Sequence, residues 1–185
     1  MSSASSLHAG IRRALADLDL YPASTSGLEA GHRLAASLIG PGITPLGTLR
    51  SVQRRCGLAA FVRHDGEALV GVFVFLLLNA RGRAAVLADD FDGLAPPLDH
   101  LAVPEDRPSA YYGWGFAATT PEARAAVVAG ADVLRKGVLA DLPFFCRAAT
   151  EAGRRAVTLK LGYRDLPGST SGLLWAPPAG RRRAA

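Results

Sequence analysis

The chain has 185 residues, of which 49% are hydrophobic and 20% are charged. This length and composition fit one domain with a core and exclude a disordered or fibrous protein. The longest apolar run, Ala68 to Leu78, is shorter than the roughly 20 residues of a membrane-spanning helix, and Gly66 and Asn79 bracket it. We therefore expect no membrane partner.

The net charge of +5 does not by itself indicate a nucleic-acid partner. The arginines are scattered, with one dense cluster at Arg181 to Arg183. Because no arginine-lined recognition helix or interleaved aromatic pattern accompanies them, a nucleic-acid binder is disfavoured. We expect a flexible leader at residues 1–6, one domain at 7–178 and a basic flexible tail at 179–185.

The cysteines and the start of the chain bear on the compartment. Cys56 and Cys146 are the only cysteines and lack redox or metal-ligand spacing, so we expect both to be unpaired and buried. Met1 to Ser6 lacks the basic and apolar segments of a secretory signal. These features predict a cytoplasmic protein.

In chain order, the first elements are predicted helices. Apolar residues at three- and four-residue spacing predict the first helix, and cap residues mark the next two. Their ranges are Leu7 to Leu18, Ser26 to Ile39, and Thr44 to about Arg55 with Pro45 in the first turn.

A β-hairpin is predicted next. Two apolar runs, Leu58 to Arg63 and Ala68 to Leu78, flank Asp65-Gly66, which is a strong hairpin turn signal. A third strand is predicted at Ala84 to Ala88, followed by a long surface loop from Gly93 to Pro108.

The second half alternates strands with helices. Thr120-Pro121-Glu122 and Thr150 have the composition of helix starts, and Gly162 that of a helix end. The predicted elements are a strand at Ala110 to Ala118, a helix to about Lys136, a strand at Leu142 to Arg147, a helix from Thr150 to Gly162, and a strand at Leu173 to Trp175. This order predicts an α/β fold of the α+β type, with a mixed, mainly antiparallel central sheet flanked by helices and one parallel crossover late in the chain.

Three stretches, in this order, are similar to motifs of the GNAT N-acyltransferase superfamily. They are the hairpin Asp65 to Val72, the strand Tyr111 to Ala118 followed by Thr120-Pro121-Glu122-Ala123-Arg124, and the helix Thr150 to Tyr163, which ends in Leu-Lys-Leu-Gly-Tyr. The resemblance covers roughly the second two-thirds of the chain. It implies a GNAT-like fold and transfer of an acyl group from acetyl-CoA or a longer acyl-CoA to an amine of a small molecule or a peptide.

The resemblance also implies site residues. Backbone groups of Phe116, Ala117, Ala118 and Thr119 would contact the pantetheine arm, and Thr120, Ala123, Arg124, Ala125 and Ala126 would contact the pyrophosphate at a helix N-terminus. Tyr112 is the candidate catalytic acid. Side-chain alternation along the strand predicts that Tyr112 and Trp114 share one face, and core packing of these aromatics is the alternative to a role in chemistry. A basic protein also suits a polyanionic coenzyme.

Two positions depart from the family pattern. Val127 stands where the family has a glycine, and Thr158 stands where it usually has a tyrosine acid. They leave open a catalytically degenerate GNAT-fold protein with a binding or regulatory role. The acceptor, the acyl length and the presence of a homodimer are also left open.

Other polar residues have two interpretations each. His100 follows Asp99 and is either a tuned base or a solvated loop residue. His8 and His64 are expected at the surface, and His32 is expected as a capping or edge residue. Asp89, Asp90 and Asp92 would either bind a metal or an amine or form a solvated turn, and the second is favoured because they lack calcium-loop spacing. No metal site is predicted.

Overall fold

The computed structural model describes residues 3–180, and it shows a mixed α/β protein in which helices flank one sheet. The helices are Ser3–Ala16 (α1), Thr25–Ile39 (α2), Leu46–Cys56 (α3), Ala80–Leu87 (α4), Pro121–Lys136 (α5) and Glu151–Leu161 (α6). The strands are Tyr21–Pro22 (β1), Ala60–Asp65 (β2), Ala68–Leu78 (β3), Ala110–Ala118 (β4), Phe144–Cys146 (β5), Arg164–Asp165 (β6) and Leu174–Ala176 (β7).

The seven strands lie in the order β1-β2-β3-β4-β5-β7-β6. Every neighbouring pair is antiparallel except β4 and β5, which are parallel and are connected through α5. The predicted fold class is confirmed, as are the hairpin of β2 and β3 and the late parallel crossover.

Both faces of the sheet are covered by helices. Because side chains alternate along a strand, Phe73 and Phe75 pack with α1, α5 and α6 on one face. Val72, Val74 and Leu76 pack on the other face, where α2, α3 and α4 lie. These two faces are called the α5 face and the α2 face below.

The helix starts follow from their capping residues. The side chains of Ser24, Asn79, Thr120 and Thr150 each accept a hydrogen bond from a backbone N–H in the first turn of α2, α4, α5 and α6. The predicted cap of α2 at Ser26 is therefore two residues late. Gly162 ends α6 with a left-handed φ of 70°, as its position predicted.

The strand predicted at Ala84 to Ala88 is wrong, because residues 84–87 belong to α4 and Ala88 is its C-cap. The Asn79 side chain accepts a hydrogen bond from Gly82 N–H at 3.0 Å, which starts a helix where the apolar run was too short to distinguish helix from strand. A Cβ on Gly82 would lie 2.3 Å from His100 O, so only glycine allows this close packing.

The remaining differences lie in loops and at the ends. The loop predicted from Gly93 to Pro108 contains a 3₁₀ turn, and Leu101 within it is buried and bridges to Leu78. The two-residue strands β1 and β6 were not predicted. Ser3 to Ser6 of the predicted leader lie in α1, while residues 1–2 and 181–185 of the leader and the tail lie outside the described residues.

Two further predictions concern cysteines and membranes. Cys56 and Cys146 are free and buried, as predicted. Within residues 3–180, none of the helices combines the length and apolar composition that crossing a lipid bilayer requires.

Candidate active site

A β-bulge in β4 is the main irregularity at the centre of the sheet. Val74 pairs with Gly115 and Phe75 pairs with Gly113, so Trp114 is an extra residue opposite β3. A bulge interrupts side-chain alternation. Trp114 and Gly115, although consecutive, both lie on the α2 face, where they line one cleft.

The parting of β4 from β5 begins at the same point. Tyr111 to Gly113 pair with Phe144 to Cys146, and β4 then continues to Ala118 with no strand beside it on that edge among residues 3–180. Trp114, Gly115, Phe116 and Ala118 are each half-buried. The sheet therefore opens between two parallel strands directly beyond the bulge.

The backbone of this free edge presents hydrogen-bonding groups to the opening. Thr119 N–H donates to Val70 O at 2.9 Å, so the backbone of Thr119 is directed toward β3. Because direction alternates along a strand, Ala117 is also directed toward β3. Phe116 and Ala118 direct their N–H and C=O groups into the opening.

The N-terminus of α5 borders this edge. Ala123 N–H donates to Thr120 Oγ1 at 3.1 Å, Arg124 N–H donates to Thr120 O at 3.0 Å, and Pro121 has no N–H. Within residues 3–180, this leaves Glu122 N–H as the first-turn amide without an acceptor. The Arg124 guanidinium donates to Thr119 O at 3.2 Å, which holds it beside the start of the helix.

The other α5 residues predicted to bind the pyrophosphate have different surroundings. Ala123 and Ala126 are buried against the sheet, and Ala125 is exposed on the second turn, where its amide is within the helix. Val127 is only 3% exposed and belongs to the core of the α5 face. Its side chain therefore points into the protein and not toward the start of the helix.

Tyr112, the predicted acid, lies on the α2 face together with Trp114, as alternation predicted. It is 3% exposed, and its hydroxyl lies 3.1 Å from where a Cβ on Gly93 would stand. Burial raises the pKa of Tyr112 to about 12, against a smaller lowering by the charge of Arg147. The hydroxyl is thus protonated at neutral pH and can donate a proton or a hydrogen bond.

Three further groups near the point where β4 and β5 separate are deeply buried on the α5 face: Tyr111, Tyr163 and Cys146. Burial raises the pKa of Tyr111 and of Tyr163 well above the ordinary value, and it raises the pKa of Cys146 to about 12. Thr158 Oγ1 donates to Arg154 O at 2.9 Å within α6. Tyr111, Tyr163 and Cys146 belong to the core of the α5 face, opposite Tyr112, and the half-buried hydroxyl of Thr158 is engaged within its own helix.

A cleft on the α2 face corrects the prediction for His32, which was expected as a capping or edge residue but lies inside α2 and lines this cleft. It lies between α2 and the strands β3 and β4, has a volume of about 80 Å³, and is lined mainly by apolar side chains. Its polar members are His32, Thr44 and the Trp114 indole. The signal for His32 was its place four residues after Leu28, on the apolar stripe of α2.

Hydrogen bonds fix the polar wall of this cleft. His32 Nε2 lies 2.9 Å from Thr44 O, and Thr44 Oγ1 donates to Gly93 O at 3.4 Å. The Trp114 indole N–H donates to the same Gly93 carbonyl. The cleft, the bulge and the loop beside Tyr112 are therefore connected through Gly93.

The other histidines lie away from this site. The carboxylate of Asp99 pairs with Arg81 at 2.8 Å, while the His100 ring stacks near Phe91 with a centroid separation of 6.3 Å. His64 is exposed, as predicted. His8 is half-buried, and burial lowers its pKa.

The acidic residues after α4 hold loops together. Asp89 accepts hydrogen bonds from the backbone N–H groups of Thr170 and Ser171 at 2.8 and 3.0 Å, and it pairs with Arg147 at 3.3 Å. Asp92 accepts from the backbone of its own turn. Within residues 3–180, no three His, Cys, Asp or Glu side chains are grouped as metal ligands.

Comparison with known proteins adds no assignment: no protein-family profile matches the chain, and no curated protein has a significantly similar sequence. The fold and the geometry around β4 therefore carry the functional argument.

Proposed function

We propose that this protein is a GNAT-type acyltransferase, which transfers an acyl group from acyl-CoA to an amine. The observation that carries the proposal is the coincidence of the bulge at Trp114 with the parting of β4 and β5. Such an opening between parallel strands, with a free strand edge, suits an extended amide-bearing chain, because the edge offers backbone donors and acceptors. The pantetheine arm of coenzyme A is a chain of this kind.

The free edge supplies the groups that the chemistry needs. Phe116 and Ala118 present N–H and C=O groups to the opening, which suits both the pantetheine amides and the oxygen of a thioester as it gains negative charge. In this proposal the amine nitrogen bonds to the thioester carbon, the carbon–sulfur bond breaks, and the thiolate takes a proton. Tyr112 is the proposed donor of that proton, because it lies on β4 two residues before Trp114 at the bulge and its hydroxyl is protonated at neutral pH.

The start of α5 is the proposed phosphate end. Glu122 N–H has no acceptor among residues 3–180 and the Arg124 guanidinium is held beside it, so a phosphate group would meet one amide, one fixed positive charge and the positive end of a helix. The carboxylate of Glu122 opposes this field. We therefore expect acyl-CoA binding to depend on Arg124 and to weaken as salt increases.

Thermal unfolding with acetyl-CoA and with longer acyl-CoAs tests the proposal, because a ligand that binds only the native state raises the midpoint. We expect the parent to be stabilised and Arg124→Glu to lose at least tenfold in acyl-CoA affinity while keeping its own midpoint, since Arg124 is exposed. Arg107→Glu, the same charge reversal in an exposed loop, is the matched control. No midpoint change in the parent with any acyl-CoA would refute the proposal.

A second candidate is a GNAT-like protein that binds a ligand without catalysis. Thr158 favours it, because its hydroxyl is engaged with Arg154 O and the position lacks an acid. Mass spectrometry of acyl-CoA incubated with amine mixtures separates the two: stabilisation by acyl-CoA without any acylated amine would select the binding protein.

A further inference from the structure

The cleft on the α2 face suits a neutral, apolar group. Of the residues within 3–180 that line it, none is Asp, Glu, Lys or Arg, and the one ionisable side chain is that of His32. The hydroxyl of Thr44 and the indole N–H of Trp114 are both engaged with Gly93 O. His32 Nε2 in turn contacts Thr44 O. An ammonium or a carboxylate would lose its hydration on entry without meeting a fixed counter-ion, so the complementary ligand is a hydrocarbon chain.

The volume of the cleft limits the length of that chain. An apolar cavity of roughly 150 Å³ accepts benzene, so each of its six carbon atoms takes about 25 Å³. The cleft has a volume of about 80 Å³ and therefore holds about three carbon atoms. If these are the carbons that follow the carbonyl of an acyl group, the group that fits is butyryl.

Gly115 lies between the cleft and the proposed position of the thioester. Phe116, the next residue, presents its N–H to the opening beside β4, where the thioester oxygen is proposed to bind. Consecutive Cα atoms are about 3.8 Å apart, so the acyl chain would begin next to the cleft. A Cβ built on Gly115 would meet no atom of residues 3–180 within 4 Å, its chain neighbours aside, so the space beside this glycine is empty. The chain can therefore enter the cleft over Gly115.

We infer that this cleft is the acyl-chain site and that the protein prefers butyryl-CoA to acetyl-CoA. The inference rests on the acyl-transfer function proposed above and specifies its acyl donor. The chain contributes binding only: the bonds that form and break are those of the proposed transfer, and the carbons in the cleft remain unchanged.

Isothermal titration calorimetry with acetyl-CoA, butyryl-CoA, succinyl-CoA and octanoyl-CoA tests the preference. Burying one methylene tightens binding about fourfold, so the two additional methylenes of butyryl-CoA should tighten it about 15-fold over acetyl-CoA. Succinyl-CoA, whose chain ends in a carboxylate, should bind about tenfold more weakly than butyryl-CoA. Octanoyl-CoA should gain nothing over butyryl-CoA, because its further carbons exceed the volume of the cleft.

Three results would overturn the inference. Equal affinities for acetyl-CoA and butyryl-CoA would show that no chain site exists. Equal affinities for succinyl-CoA and butyryl-CoA would show that the chain does not lie in an uncharged cleft. An affinity that rises steadily up to octanoyl-CoA would show a larger chain site than this one.

Ala35→Leu fills the cleft from α2 with a residue that favours a helix. It should reduce the ratio of the affinities for butyryl-CoA and acetyl-CoA from about 15 to about 3 or less. Ala36→Leu is the matched control, because it is the same substitution at the next residue of α2, which is half-buried and lies outside the lining. It should keep the parental ratio.

Gly115→Val fills the cleft from the opposite wall, at a strand position that suits a branched side chain. It should lower the same ratio, whatever its effect on the affinity for coenzyme A itself. A ratio measured within one variant separates loss of the chain site from a general loss of stability. A parental ratio in both Ala35→Leu and Gly115→Val would place the chain outside the cleft and refute the inference.

The two proposals fail in different ways. If acetyl-CoA and butyryl-CoA bind equally well, the acyl-chain inference is wrong and the proposed function stands. If neither of them binds, the proposed function is wrong and the acyl-chain inference falls with it.

Discussion

Val127 distinguishes two interpretations of α5. In the first interpretation, which follows the GNAT family pattern, the branched side chain of Val127 obstructs the phosphate-binding loop. Val127→Gly should then tighten acyl-CoA binding. In the structure Val127 is 3% exposed, and its Cγ1 lies 3.6 Å from where a Cβ on Gly71 would stand. The substitution would therefore remove core packing between α5 and β3 without opening the start of the helix.

The cost follows from burial and helix propensity. Burying a valine side chain stabilises by about 1.5–3 kcal/mol, and glycine in a helix costs about 1 kcal/mol more. We expect Val127→Gly to lose about 3–4 kcal/mol, which for a chain of this size lowers the midpoint by roughly 10 °C. Val133→Gly, on the same helix but 38% exposed, buries less and should lose about 2 kcal/mol and roughly 6 °C.

Differential scanning fluorimetry of both variants, with and without acetyl-CoA, measures these shifts. Equal midpoints for the two variants, or a Val127→Gly protein with the parental midpoint and tighter acetyl-CoA binding, would refute the core placement and restore the obstruction model.

Two further predictions concern pH. Burial raises the pKa of Cys56 from 9.0 to about 11. The contribution of the neutral thiol to the free energy of unfolding is therefore intact below pH 9 and is lost as the pH rises toward 11, by roughly 3 kcal/mol. In urea unfolding, Cys56→Ala should lose less stability over this pH range than the parent, and parallel stability profiles would contradict the prediction. Hydrogen bonds, first from Ser171, hold the pKa of Asp89 well below its usual range, so its contribution is present above about pH 4 and declines as the pH falls further. Asp89→Asn should have a lower midpoint than the parent at pH 7 and a flatter profile below pH 4, and an unchanged midpoint at pH 7 would show that the loop 169–171 does not depend on this carboxylate.

The parts of the fold that sequence predicted correctly are those with strong local signals. The Asp65-Gly66 turn between apolar runs indicated the hairpin, and Thr120-Pro121 indicated the start of α5. The two-residue strands β1 and β6 have no such pattern, because their pairing with neighbours alone defines them. Helix α4 depends on the Asn79 cap and on the packing of Gly82 against His100, which is a long-range contact.

The site was less predictable for a similar reason. The prediction that Tyr112 and Trp114 share one face is correct. The bulge at Trp114, however, depends on how β4 pairs with β3, and the flanking Gly113 and Gly115 are the only local sequence signal for it. His32 lines the cleft and contacts Thr44 O, and no sequence motif indicated either fact. The four-residue spacing of Val127 from Ala123 predicts a core position on the same helix face. The family pattern instead aligns Val127 with a glycine of the phosphate-binding loop.

The bulge accounts for both the cleft on the α2 face and the free edge of β4. Without the bulge, side chains would continue to alternate along β4, and the Phe116 ring would lie on the α2 face in the cleft. The backbone N–H and C=O groups of Phe116 would then be directed toward β3. The extra residue instead places Gly115 in the cleft and the Phe116 ring against the α5 face. It also directs the N–H and C=O groups of Phe116 and Ala118 into the opening beside β5. One inserted residue thus leaves part of the cleft empty and places a free strand edge beside it, and the proposed acyl-CoA site lies along that edge.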